Sequence, residues 1–264
     1  ETPIHLTPKM INGVVHELNF VLPTYELSKE AKDYLRQQLL QYPKNSVSKT
    51  AEPDDLPKKV NVGMEMSPVL NQGMHGSCVT FAVTGALNAL LGAGNYISQL
   101  CSLELGSYLA IHNKTPLSGW NGSYSTLVLQ QISDYGIISQ NYQKLHGCAG
   151  VKEYPVLDEF DEGKPMSDRE FTEHSIPISN LMEWHEIFES DNAFSAKTDT
   201  NQLIYQIKSE LAKGNRLTVG IMLDLVVENG GDVGAVGSYY AENDTWMLTP
   251  QIISDVINDK IEAA

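Results

Sequence analysis

The chain's sharpest chemical feature spans seven residues, Gln72-Gly73-Met74-His75-Gly76-Ser77-Cys78. This glycine-rich turn delivers a cysteine to the start of an apolar stretch, Cys78 to Leu91 (CVTFAVTGALNALL), which the pattern predicts to be a helix closed by Gly92 and Gly94. A thiol on the first residue of a helix feels the positive end of the macrodipole and nearby backbone N–H groups, and both favour the thiolate, the form that attacks carbonyl carbon. Gly73 and Gly76 let the chain turn without Cβ clashes, so the side-chain amide of Gln72 can point into the space beside the Cys78 N–H. Two donors beside a nucleophile form an oxyanion hole. A lone cysteine ahead of an apolar helix is otherwise a small buried hydrophobe. Here the Gln-to-Cys spacing and the two glycines favour the reactive reading.

Other candidates carry less. Gly231, Gly234 and Gly237 recur at intervals of three but lack the G-x-G-x-x-G or Gly-Lys-Ser/Thr spacing of a phosphate cradle. The acids of Asp158-Glu159-Phe160-Asp161-Glu162 lack the fixed ligand spacing of a calcium loop. No cofactor and no metal is expected. Cys101 and Cys148 either pair, closing a long loop, or remain two buried thiols; pairing leaves Cys78 as the odd thiol.

Several elements must position this turn. Apolar residues on alternate positions from Val14 through Leu18, Phe20 and Leu22 predict a strand ended by Pro23. From Ser28 a helical period places Ala31, Tyr34, Leu35 and Leu39 on one face, ending at Pro43. The polar, Pro-broken run Lys44 to Lys59 reads as a linker, so residues 1–58 form an N-terminal segment and 59–264 a main domain. The apolar helix Cys78 to Leu91 belongs in that domain's interior. Further helices are expected over Ser102 to His112 and Tyr124 to Tyr135, then irregular chain over 139–199 with one short helix near Leu181 to Phe188. Thr200 to Lys213 returns to helical period, and Leu217 to Leu223 (LTVGIML) predicts a buried strand.

Composition narrows the partners. With 264 residues, 42% hydrophobic and 19% charged, the chain can build a folded core. Eighteen basic against thirty-three acidic residues give a net charge of −15, which repels a phosphate backbone, so no nucleic-acid partner is expected. No stretch approaches the ~20 apolar residues of a spanning helix, so no membrane span is expected. The chain begins at Glu1 without a basic and then apolar leader, as a processed secretory protein or a trimmed one would.

Ser67-Pro68-Val69-Leu70-Asn71, the Gln72–Cys78 turn and Phe81-Ala82 together resemble the active-site segment of papain-like cysteine peptidases, P-V-x-N-Q-G-x-x-G-S-C-W-x-F-A, with Val79 where the family usually has Trp. Leu100 to Leu105 (LCSLEL) resembles the family's Leu-Ser-Glu-Gln-Glu-Leu helix start. Gly119-Trp120-Asn121-Gly122-Ser123-Tyr124, followed by Tyr135-Gly136-Ile137, resembles its G-C-N-G-G-Y stretch and later Tyr-Gly-Ile. Leu211 to Ile221 resembles the helix and strand that open its second lobe, so the resemblance covers about residues 60 to 225. It implies an α+β, two-lobe fold, with a helical lobe carrying the Cys helix and a sheet-rich lobe, preceded by a small N-terminal pro-segment. It further implies Cys78 as nucleophile, Gln72 as oxyanion donor, and Asn121, Gly122 and Ser123 as the rim that holds an extended substrate peptide.

The family's catalytic histidine and its Asn-Ser-Trp segment have no counterpart. All seven histidines, His5, His16, His75, His112, His146, His174 and His185, precede Val219. His75 stands where the family often has a structural cysteine, and His185 lies in an acidic surface stretch, so neither is favoured as base. The base and its asparagine are expected beyond Ala264. The resemblance thus implies a secreted or extracytoplasmic, bacterial-type proenzyme, a monomer that hydrolyses peptide or protein substrates and is blocked by its own N-terminal pro-segment. The alternatives are an inactive relative that binds peptides without turnover, or a Cys-dependent acyltransferase or amidase.

Overall fold

The computed structural model describes residues 2–11, 14–22, 28–41, 56–73, 75–156, 164–188, 199–221 and 250–260. Asp158–Glu162, Gly231, Gly234, Gly237 and most of the Lys44–Lys59 linker lie outside them. The chain divides into two compact units, one of Glu1–Leu56, Glu186–Ser209 and Val219–Ala264, the other of Pro57–His185 and Glu210–Thr218.

In the first unit, β1 (Thr2–Ile11) and β2 (Val14–Leu22) pair antiparallel, from Thr2 opposite Leu22 to Ile11 opposite Val14. The register slips between Leu6 and Lys9, where β1 carries Pro8, which has no N–H to give a ladder. α1 (Lys29–Gln41) starts at Ser28, whose Oγ accepts from the Ala31 N–H at 3.1 Å. It packs on a short amphipathic helix near the C-terminus, Pro250–Ile257, with Ala31 and Ile257 both buried and Lys32 Nζ 2.6 Å from Asp259 Oδ1.

The second unit is built of helices. α2 (Cys78–Leu91) has the predicted bounds and ends at Gly92 in the left-handed region. It is not enclosed on all sides: Val83, Thr84, Leu87 and Asn88 are buried, whereas Ala82 and Leu90 are exposed. The enclosed helix is α3 (Gln99–Ile111), in which Gln99 to Ser107 are all buried. It begins at Ser98, whose Oγ accepts from the Cys101 N–H at 3.0 Å. α4 (Ser125–Tyr135) packs on α2, and the interior between them holds Val83, Leu87, Ile97, Val128, Ile132 and Ile137. A second cluster gathers Leu100, Leu103, Leu105, Trp120, Met166 and Phe171 around α3.

Cys101 is bridged to Cys148, with their Cα atoms 5.1 Å apart, and Cys78 stays free. Two seven-residue helices, α5 (Gln140–His146) and α6 (Asp168–His174), occupy sequence expected to be irregular. The helix expected near Leu181 to Phe188 is absent; a single 3-10 turn, Ser179–Leu181, stands at its start and 182–188 is irregular. α7 (Thr200–Ala212) follows, started by Asp199, whose Oδ1 accepts from the Asn201 and Gln202 N–H groups, and the C-terminal Pro250–Ile257 helix is α8.

The α+β, papain-like two-lobe fold with a sheet-rich lobe is not what the structure shows. Among the described residues the regular elements are helices apart from the β1–β2 ribbon, which belongs to the N-terminal segment rather than to a second lobe. Of the strand expected over Leu217 to Leu223, the described part, 217–221, is irregular, with Val219 77% and Ile221 58% exposed. An apolar run becomes a strand only where a neighbour pairs its backbone and something covers its face. Among the described residues no backbone hydrogen bond reaches this run.

Candidate active site

The turn before Cys78 is held by contacts that its glycines allow. Asn71 Oδ1 accepts from the Gly73 N–H at 2.9 Å, a local turn of the kind asparagine favours. Gly73 has φ +61°, and a Cβ there would lie 1.9 Å from the carbonyl oxygen of Val156, so only glycine fits. Gln72 Nε2 donates to the His75 carbonyl at 2.9 Å, which closes the turn on itself. Met74 lies outside the described residues.

Beneath the turn lies an aromatic cluster. The His75 ring meets Trp120 edge-on at 5.0 Å and Tyr154 at 5.7 Å, while Trp120 and Tyr154 stack at 5.5 Å and Phe81 of α2 meets Tyr154 at 5.0 Å. His75 Nε2 is hydrogen-bonded to the Pro155 carbonyl; because a carbonyl only accepts, that nitrogen carries a proton. Tyr154 Oη donates to the Gln72 carbonyl at 2.9 Å and lies 2.9 Å from Ser77 Oγ. Burial pushes the Tyr154 phenol up to about 12, with the Ser77 hydrogen bond opposing it.

Cys78 itself is exposed and free on the first residue of α2. Ser77 precedes it at the N-cap position, but its side chain makes no capping hydrogen bond to the helix. The leading N–H groups of α2 are therefore not covered from that side.

The Asn121–Ser123 segment is seated beside the same turn. A Cβ on Gly76 would stand 3.0 Å from the Trp120 carbonyl oxygen and 3.6 Å from the Gly122 nitrogen, so two motifs distant in sequence lie against each other. A 3-10 turn, Gly119–Asn121, is locked onto α3: Gly119 has φ +78°, and a Cβ there would come 2.3 Å from the Ser107 nitrogen. Trp120 Nε1 donates to the buried carboxylate of Glu104 at 3.1 Å, and its backbone N–H donates to Ser107 Oγ at 3.2 Å. Asn121 is exposed, while Gly122 and Ser123 are half-buried.

The structure thus brings Cys78, Gln72 and the Asn121–Gly122 backbone to one turn. The Gln72 amide is hydrogen-bonded to the His75 carbonyl rather than to Cys78. The described histidine side chains are engaged with other groups: His75 as above, His112 with Tyr108, His146 and His174 with Tyr142, and His185 4.0 Å from Glu210. The Lys213 ammonium and the Asn215 amide beside Glu210 hold its carboxyl below the usual range. His5 and His16 lie in the β1–β2 ribbon, opposite Asn19 and Lys9. Among the described residues, no histidine hydrogen-bonds Cys78. An open groove of about 380 Å³ lined by Tyr135, Asp168, Arg169, Thr172 and Glu173 contains none of the candidate residues. Among the described residues, no cluster of three or more His, Cys, Asp or Glu could hold a metal, and no helix is long and apolar enough to cross a membrane.

The residue that sequence reasoning missed is Tyr154. Its hydrogen bonds to Ser77 and Gln72 span 77 and 82 positions, and no local pattern signals contacts of that range. No protein-family model and no curated protein matches this chain. The functional reading therefore rests on the geometry around Cys78.

Proposed function

We propose that this chain is a cysteine peptidase whose active-site segment is of the papain-like kind. The observation that carries the reading is a free, exposed thiol on the first residue of α2, with the Gln72 turn and the Asn121–Gly122 backbone packed beside it. In the reaction, the Cys78 thiolate attacks the peptide carbonyl carbon. The resulting oxyanion takes hydrogen bonds from the Cys78 N–H and the second N–H of the Gln72 amide. The C–N bond breaks, the amine leaves with the proton that the Cys78 thiol gave up, and water then hydrolyses the thioester, releasing the acid and restoring the thiol. Asn121, Gly122 and Ser123 offer an edge to an extended substrate. The Cys101–Cys148 bridge supports a secreted or extracytoplasmic setting, where disulfides persist. In this reading residues 1–58 act as a pro-segment that holds the enzyme as a zymogen.

A second reading, a peptide-binding relative without turnover, is favoured by one observation: no described histidine is placed to take the thiol proton. A peptidyl epoxide separates the two, because it alkylates activated thiols selectively. Once the Lys44–Lys59 linker is cut and the protein diluted to nanomolar, the peptidase reading expects one adduct per chain at neutral pH, mapped to Cys78 by mass and lost in Cys78→Ala, together with hydrolysis of fluorogenic peptides. An unlabelled Cys78 with no hydrolysis, in a protein that still binds peptide, would leave the binding reading.

A further inference from the structure

We propose that His75 is a positioning residue for the oxyanion donor: its ring, tied to the Pro155 carbonyl and packed against Trp120 and Tyr154, fixes the His75 peptide carbonyl, and that carbonyl decides which way the Gln72 amide points. The inference rests on the peptidase reading.

A carboxamide has a donating end and an accepting end. Only the NH2 end of Gln72 can steady an oxyanion; turned over, the amide would present its oxygen to the developing negative charge. The His75 carbonyl lies 2.9 Å from Gln72 Nε2 and can only accept, so the nitrogen must face it and the flipped amide is excluded. Because the amide group is planar, committing one N–H to His75 also fixes the direction of the other. That second N–H is the one the proposed reaction uses, so its aim is set by where the His75 carbonyl stands.

The backbone alone would hold that carbonyl loosely. It belongs to the peptide between His75 and Gly76, and glycine on one side of a peptide restrains its rotation less than any other residue. The side chain of His75 supplies the restraint. Its Nε2–H donates to the Pro155 carbonyl, and its ring meets Trp120 edge-on at 5.0 Å and Tyr154 at 5.7 Å. Each of these supports is itself anchored: Trp120 Nε1 donates to Glu104, the Trp120 N–H donates to Ser107 Oγ, and Tyr154 Oη donates to the Gln72 carbonyl. The last bond pins the Gln72 backbone to the same ring cluster that holds His75. Both ends of the Gln72-to-His75 span are therefore fixed, and the amide that bridges them is oriented before substrate arrives.

His75→Phe keeps a ring for Trp120 and Tyr154 and removes the N–H that Pro155 accepts. In protein cut in the Lys44–Lys59 linker and diluted to nanomolar, kcat for a fluorogenic peptide should fall about tenfold or more with KM within about threefold, because the misaimed donor serves the transition state. Alkylation of Cys78 by iodoacetamide, which builds no oxyanion, should change by less than about threefold. A glutamine amide nitrogen stands about where imidazole Nε2 does, so kcat in His75→Gln should exceed that in His75→Phe by at least about fivefold. The decisive readout is the double variant, since His75 acts through Gln72. Gln72→Ala alone should lower kcat about a hundredfold, and adding His75→Phe should lower it by less than about threefold more. A merely structural role for His75 predicts that the two losses multiply. Rates are taken per thiol titrated by the peptidyl epoxide, so misfolded protein does not count; if His75→Phe gives no folded protein, His75→Asn, whose amide stops one carbon short of Pro155, takes its place. Wild-type turnover with an unchanged kcat in His75→Phe, a His75→Gln variant as slow as His75→Phe, or losses that multiply with Gln72→Ala overturns the inference alone. A wild-type protein with neither turnover nor epoxide labelling overturns the peptidase reading, and this inference with it.

Discussion

Tyr154 is also where the site can be read by pH. Its phenol is pushed up to about 12 by burial, against about 10 for an unfolded tyrosine. Below the unfolded value both states are protonated and stability does not change. Between about 10 and 12 the unfolded chain ionises while the native one does not, so stability falls as pH rises through that window. Absorbance at 295 nm of the folded protein should show one tyrosine titrating last, and Tyr154→Phe should remove that step; a wild type without it would place Tyr154 in solvent. At this scale the sequence is legible wherever chemistry is packed into a short run. Cys78, Gln72 and their glycines are readable because donor, turn and nucleophile share seven residues. Tyr154 is unreadable because its partners are reached only through the fold. Ser77 looks like an ordinary N-cap, and only the structure reveals its different engagement.

The elements show the same division between local and non-local causes. α2 is legible to the residue because a mostly apolar run meets a glycine that can take φ +61°. Its one-sided burial is not, since apolar composition does not say which face a neighbour will cover. α5 and α6 escape periodicity because seven residues make only two turns, yet Ser167-Asp168-Arg169-Glu170 carries the serine-to-glutamate spacing of a helix start, and Ser167 Oγ does accept from the Glu170 N–H. The run at 217–221 fails in the opposite direction, with the right residues but no described neighbour to pair with. The junction between α2 and α3 depends on Asn88, which a reading of α2 as uniformly apolar passes over. Its Oδ1 accepts from the backbone N–H groups of Tyr96 and Ile97 at 3.1 and 3.0 Å, and its side chain is buried. Asn88→Ala strands two N–H groups, one of them fully enclosed, and should cost about 2–4 kcal/mol. Urea unfolding should show this as a lower midpoint with an unchanged slope; a loss below about 1 kcal/mol would mean that water replaces the asparagine.

For the whole molecule the question is what the N-terminal segment does. Its β1–β2 ribbon and α1 are each too small to be stable alone, since a two-stranded hairpin and a helix of about 13 residues are both marginal in water. α1 has its partner in α8, and Ala31 and Ile257 on the two helices are buried; the Lys32–Asp259 pair, with Asp259 71% exposed, adds little. The segment and the C-terminal residues thus belong to one compact unit, which is compatible with the proposed pro-segment role. As part of one chain it sits at an effective concentration of about millimolar, enough to block a site even with weak intrinsic affinity. Cutting the polar, Pro-broken Lys44–Lys59 linker removes that advantage, but the α1–α8 contact still retains the segment. Release should therefore depend on dilution. Peptidase activity after a single cut in this linker should rise only modestly at micromolar enzyme and many-fold on dilution to nanomolar, whereas the uncut protein should show the same specific activity at both concentrations. A cut protein with the activity of the uncut one at every dilution would identify the segment as an accessory domain rather than an inhibitor.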